Sequence, residues 1–183
     1  MNRGIKLLLI VLVFGIAACS TDDGPVNEPV GEPSVTAQIE EEQWEAVTFE
    51  SAVNVIPQKG QYFELDAAGA GYSLKLSVLE FGTANGTITE GIYEGSEEMF
   101  LSLFMGDEEG DYVVEYKPLA SNTDEEPFTI QITASTNSRI SGTFSGIIYQ
   151  VSQEDEGEYP EFIEISNGNF NNLTFETKTV NIQ

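Results

Sequence analysis

Apolar residues recur at every second position through most of this chain. Phe63, Leu65 and Ala67 alternate with Glu64 and Asp66, and Tyr72, Leu74, Leu76 and Val78 with Ser73, Lys75 and Ser77. Tyr112, Val114 and Tyr116 alternate with Val113, Glu115 and Lys117, and Phe128, Ile130, Ile132 and Ala134 with Thr129, Gln131 and Thr133. Side chains of a strand point alternately to its two faces, so each run predicts a half-buried strand with one wet side. Further strands are predicted over 35–39, 43–55, 87–93, 99–105, 139–150, 161–166 and 169–176. No stretch after residue 34 carries the 3.6-residue period of an amphipathic helix. The breaks are short turn sequences: Pro57-Gln58-Lys59-Gly60, Gly69-Ala70-Gly71, Asn85-Gly86, Gly106 to Asp111 and Asn137-Ser138. Short turns join antiparallel neighbours. Two connections are longer, Pro118 to Pro127 and Ser152 to Pro160. Strands at this spacing predict an all-β domain, either an antiparallel β-sandwich or a closed antiparallel barrel. Of the two, the sandwich is the expectation.

The first residues follow another pattern. Arg3 and Lys6 precede an apolar run from Leu7 to Ile16, which ends in Ile16-Ala17-Ala18-Cys19. The run is too short to span a bilayer, which takes about 20 residues. A basic start, an apolar centre and small residues before the cut make a secretory signal peptide. A cysteine directly after the small residues makes it a bacterial lipobox, in which Cys19 is acylated and becomes the new N-terminus. The expected organisation is a signal peptide over 1–18, a tether over 19–33 and an antiparallel β domain over 34–183. The tether carries Pro25, Pro29 and Pro33 with Asp22, Asp23, Glu28 and Glu32 and almost nothing apolar, a composition that stays extended. At this length it spans roughly 40 Å. The lipid bilayer, gripped through Cys19, is the expected partner. The outer membrane is the expected location, with the domain facing the periplasm or the cell surface.

Charge narrows the partners further. The chain has 7 basic and 31 acidic residues, a formal −24 that becomes −26 once residues 1–18 and their Arg3 and Lys6 are gone. The remaining cations, Lys59, Lys75, Lys117, Arg139 and Lys178, are scattered. No basic patch exists for a phosphate backbone, so nucleic acid is not an expected partner. There is no histidine, and Cys19 is the one cysteine. That excludes His-based triads, thiol nucleophiles, disulfides and the usual zinc sites.

Three chemistries remain, each beside a plainer reading. Gly106-Asp107-Glu108-Glu109-Gly110-Asp111 is the nearest approach to a calcium cage, with Asp107, Glu108, Glu109 and Asp111 as ligands. Its spacing is not that of an EF-hand, and solvated hairpin charge is the preferred reading. Tyr62, on the outward phase of its strand, and Tyr159, before Pro160, are candidates for stacking a sugar ring. Trp44, Tyr93 and Tyr149 are also aromatic candidates, with core packing as their default. A carboxylate pair working as a glycosidase is the third chemistry. Clustered surface acids lack the apolar pocket that tunes such a pair, so no catalytic residue and no enzymatic activity are expected. No cofactor is expected, with calcium the one alternative.

Three stretches carry a resemblance. They are Ala37-Gln38-Ile39 followed by Trp44-Glu45-Ala46, then Arg139-Ile140-Ser141-Gly142-Thr143-Phe144-Ser145-Gly146, then Ile165-Ser166-Asn167-Gly168-Asn169-Phe170-Asn171-Asn172-Leu173. In this order, behind a lipobox, they resemble a family of small Bacteroidetes lipoproteins carrying a domain of unknown function. The resemblance spans 35–176 and brings no catalytic residues. Glu40-Glu41-Glu42 departs from it, standing where such proteins have an Asn-Gly type of turn. Cys19-Ser20-Thr21-Asp22-Asp23 resembles the acidic tag that routes such lipoproteins to the surface; tether solvation accounts for it as well. The expected role is that of a non-catalytic envelope accessory or binding module. The alternative is a surface carbohydrate- or calcium-binding protein, and a carboxylate-based hydrolase ranks below both. An envelope protein or a glycan is the partner class that follows.

Overall fold

The computed structural model describes residues 29–95, 97–106, 112–119, 127–151 and 159–181. Cys19 and the calcium candidates Asp107, Glu108, Glu109 and Asp111 lie outside the described residues. The described chain is all β, with no helix. Its strands are β1 Ser34–Ile39, β2 Glu42–Ile56, β3 Gly60–Gly69, β4 Tyr72–Phe81, β5 Gly91–Glu94, β6 Met99–Gly106, β7 Tyr112–Lys117, β8 Thr129–Ser135, β9 Arg139–Gln150, β10 Phe162–Thr174 and β11 Glu176–Thr179.

Eight of them close on themselves in chain order, β1-β2-β3-β4-β6-β7-β9-β10, and β10 returns to β1. Every pairing round this ring is antiparallel. Of the two expected architectures the fold is therefore the closed antiparallel barrel, with up-and-down connections, and not the sandwich that ranked first. The remaining strands lie where the ring forks. The second edge of β9 is shared: β7 takes Tyr149 and Gln150, while β8 takes Ile140 to Ser145 and carries β5 beyond it. Likewise β2 pairs with β1 at Glu42 to Glu45 and with β11, in parallel, at Ala52 to Val55.

Closure depends on how β9 and β10 cross. Their register places Phe144 opposite Gly168 and Phe170 opposite Gly142. A Cβ on Gly168 would lie 2.5 Å from the Phe144 ring, and one on Gly142 would lie 2.3 Å from the Phe170 ring. Each ring thus covers a facing glycine, a device that bends and registers sheets. The two rings stack at 6.5 Å, and Phe170 also meets Phe63 across the interior at 5.7 Å. Leu65, Leu74, Leu76, Leu101, Leu103 and Tyr116 fill the barrel around them with essentially no exposure.

Two predicted elements change. The strand expected over 87–93 begins only at Gly91. The residues before it fold against one barrel end, where Ile88 is buried and side chains rather than a strand hold the backbone. Buried Gln61 accepts from Gly86 N at 2.8 Å and donates to Thr87 O at 2.7 Å. The strands expected over 161–166 and 169–176 are one strand, β10, kinked at two register shifts and followed by β11.

Candidate functional site

The barrel's outer face over β2 and β3 follows from their pairing. Phe49, Ser51 and Val53 oppose Ala67, Leu65 and Phe63 on the inner phase. That leaves Glu50, Ala52 and Asn54 outside, opposite Asp66, Glu64 and Tyr62. At this point β2 has parted from β1, and β11 has joined it with Glu176 beside Ala52 and Lys178 beside Asn54. The parting opens a groove of about 500 Å³, in which Glu50, Glu64, Asp66 and Glu176 stand with Lys178. A second hollow of about 210 Å³, reaching Thr48 and Ser73, shares Glu50 and Asp66 with it.

The groove's electrostatics are unbalanced. Glu50 and Asp66 are direct cross-strand partners, an arrangement that destabilises when both carry the same charge. Lys75, from the next strand, lies 3.6 Å from Asp66, with both side chains half exposed. Such a pair is worth little in water, so the repulsion is only partly relieved. Asn54, 5% exposed, donates to a Glu64 oxygen at 3.3 Å and fixes that carboxylate. The lining has four carboxylates to one ammonium, so it accepts hydrogen bonds and attracts positive charge.

A second polar cluster lies at the barrel end capped by residues 82–90. Glu80 accepts from Gln61 Nε2 at 2.6 Å, Thr89 N at 2.7 Å and Tyr93 OH at 2.8 Å. Burial pushes the Glu80 carboxyl up, but these donors outweigh it and hold it below the ordinary range. Burial, then Glu80, pushes the Tyr93 hydroxyl up. Donors that stabilise a charged carboxylate suit a structural clasp; a general acid needs the opposite shift.

Tyr62 and Tyr159 are not brought together. Tyr62 is half-buried on the outer face of β3, one register step past Glu64 towards the β2–β3 turn. Tyr159 is packed against the core at the other end of the barrel, next to Pro160, whose carbonyl accepts from Tyr116 OH at 3.0 Å. Burial pushes the Tyr116 hydroxyl up to about 12, with Tyr72, Glu40 and Tyr159 adding to it. Trp44 is 4% exposed and Tyr93 is buried, as core packing expects. Among the described residues, no group of three or more acids, cysteines or histidines is placed to hold a metal ion. The groove acids escape sequence reading because they are not a run: they come from three strands and meet only through register. No family model, curated protein or solved structure matches the chain.

Proposed function

We propose that the protein is a lipid-anchored, non-catalytic binding module of the bacterial outer membrane, facing the periplasm or the cell surface, with the groove on β2, β3 and β11 as its ligand face. The observation that carries this reading is that groove: an accessible, acid-lined hollow on a barrel filled with side chains. The lipobox at Cys19 and the acidic tether support the anchoring. Against catalysis stand Glu80 and Glu115, whose carboxyls are both held below the ordinary range. The ligand class that suits the groove is rich in N–H and O–H donors. Tyr62, on the same outer face, favours a glycan among such ligands, since its ring can stack beside the carboxylates.

Amide chemical shifts recorded during titration with oligosaccharides, neutral and amino-substituted in separate series, test the ligand face. Perturbations should cluster at residues 50–52, 64–66 and 176–178 and disappear in Glu50→Gln/Asp66→Asn. Perturbation elsewhere, or none with either series, removes the groove from the reading. Anchoring is tested separately with Cys19→Ala, which should move the chain from the membrane fraction to the soluble one. Retention of that variant in the membrane fraction after a high-salt wash overturns the lipid anchor.

A further inference from the structure

Opposite the groove, the barrel carries a different surface. Lys117 on β7 pairs with Tyr149 on β9, and Tyr149 pairs with Phe162 on β10. The Lys117 ammonium lies 5.6 Å from the ring centre of Phe100 on β6. Phe100, Lys117, Tyr149 and Phe162 therefore form one row across four neighbouring barrel strands. Phe100 is 46% exposed and Phe162 51%. Leu119 and Val151, each two residues beyond a member of the row, are also exposed. Of the eight large apolar side chains exposed among the described residues, four are on this face. Scattered apolar exposure needs no explanation; a contiguous patch does. Among the described residues, carboxylates border the row without crossing it. Glu115 is closed on Lys117 at 2.9 Å and on Ser102 Oγ at 2.8 Å, and Glu161 and Glu164 stand at the β10 end.

In the ring order, β9 is diametrically opposite β3, so this row and the acidic groove face away from each other. The chain before β1 enters the wall beside β10, the last strand of the row, at the end of β10 away from Phe162. Asn171 and Asn172 of β10 donate to the carbonyls of Glu32 and Gly31 and hold this segment beside β10. Nine residues, Ser20 to Glu28, separate Cys19 from the first described residue, Pro29; a fully extended chain of that length reaches roughly 30 Å, about the length of β10 from Asn171 back to Phe162.

The geometry points to the row Phe100-Lys117-Tyr149-Phe162 as a docking surface for the bilayer that holds the lipid anchor, turning the acidic groove outward. This inference rests on the reading of Cys19 as acylated. Aromatic rings with a lysine among them suit the headgroup region, where rings lie at the interface and an ammonium reaches water. A short tether holds the domain at an effective concentration in the millimolar range, so a weak contact is populated. The bilayer is favoured over a second copy, because two chains of this charge repel each other. A zwitterionic surface suits it better than an anionic one for the same reason.

The test uses the full acylated chain in phosphatidylethanolamine–phosphatidylcholine vesicles. A polarity-sensitive dye is placed at Glu164→Cys, beside the row, or at Asp66→Cys, in the groove; each exchange removes one carboxylate. Flotation with vesicles reports the anchor, and quenching by headgroup-level nitroxide lipids reports the face. Quenching at position 164 should exceed that at 66 severalfold. In Phe100→Ser/Phe162→Ser the difference should vanish while flotation and the β circular-dichroism signature persist. Equal quenching at both positions, or a difference that survives that double substitution, overturns the docking face. Concentration-dependent shielding of position 164 without lipid shows a contact between copies and also overturns it. Loss of flotation in the unsubstituted chain overturns the anchor instead.

Discussion

Glu40 and Glu41 form a two-residue turn with φ of 51° and 68°, the left-handed values of a type I′ hairpin. That turn matches the twist of its strands but favours Asn-Gly, since a Cβ there meets the following carbonyl at a cost of about 1–2 kcal/mol per residue. Glu40 recovers part of this through its carboxylate, which accepts from Glu164 N at 2.8 Å. Glu41→Gly should accordingly stabilise the domain by about 1 kcal/mol. Thermal unfolding should register this as a rise of roughly 3 °C, and an unchanged or lowered Tm contradicts it. Glu80 behaves oppositely. Its carboxyl is held low in the folded state, so its contribution is present above the unfolded carboxylate pKa of about 4.3 and is lost as pH falls through the lower folded value. Glu80→Gln should cost about 1–3 kcal/mol at neutral pH, because the Tyr93 and Thr89 donors face a weaker acceptor. The gap from the unsubstituted protein should close below pH 4, and denaturant titrations at the two pH values measure it. A gap that stays constant with pH removes Glu80 from the acid response. The turn at Glu40 and Glu41 was legible only through the resemblance, since by composition a Glu-Glu pair reads as a charge run, and the role of Glu80 was not legible, because it acquires its donors only when residues 82–90 fold back.

At the scale of elements, alternation located the strands well, and the short turns predicted the pairs β2–β3, β3–β4, β6–β7 and β8–β9, whereas Asn85-Gly86 joins strands that do not pair and the closing pairings went unread. The predicted span of 43–55 is within a residue of β2 at each end, since it has to form one long pleated ribbon. Nothing in that ribbon reveals that its second edge changes partner from β1 to β11, because pairing is decided by whichever backbone edge arrives there. The glycine-aromatic crossings of β9 and β10 were partly legible. Gly142-Thr143-Phe144 and Gly168-Asn169-Phe170 share a spacing, but only register makes each ring cover the other strand's glycine. Gly168→Ala should destabilise by about 1–3 kcal/mol through overpacking against Phe144. Adding Phe144→Leu should recover part of that loss, because the two residues are in contact and their effects are not additive. Chemical denaturation of the two single variants and the double variant forms the cycle. Strict additivity would put the cost on the Phe144 backbone carbonyl, 2.3 Å from the added Cβ, rather than on its ring.

For the whole molecule, charge and closure are separate properties. The chain's formal −24 makes the folded domain repel itself. Screening shortens that repulsion from about 10 Å at 0.1 M to about 3 Å at 1 M ionic strength. The Tm should therefore rise with NaCl across this range. Calcium at constant ionic strength should raise it further than magnesium only if Asp107, Glu108, Glu109 and Asp111 bind it, and equal shifts dismiss that site. Composition and alternation alone determined the all-β class, the inward apolar phases and the acidity, because each depends on residue type and on neighbours along one chain. The barrel, the groove and the aromatic row were decided by tertiary structure. Each consists of residues that the sequence keeps tens of positions apart and that meet only across strands. The alternating pattern is the same in a sandwich and in a barrel, since both present one dry and one wet face. What separates them is whether the last strand reaches the first, and here β10 does so after two register shifts and two ring-covered glycines.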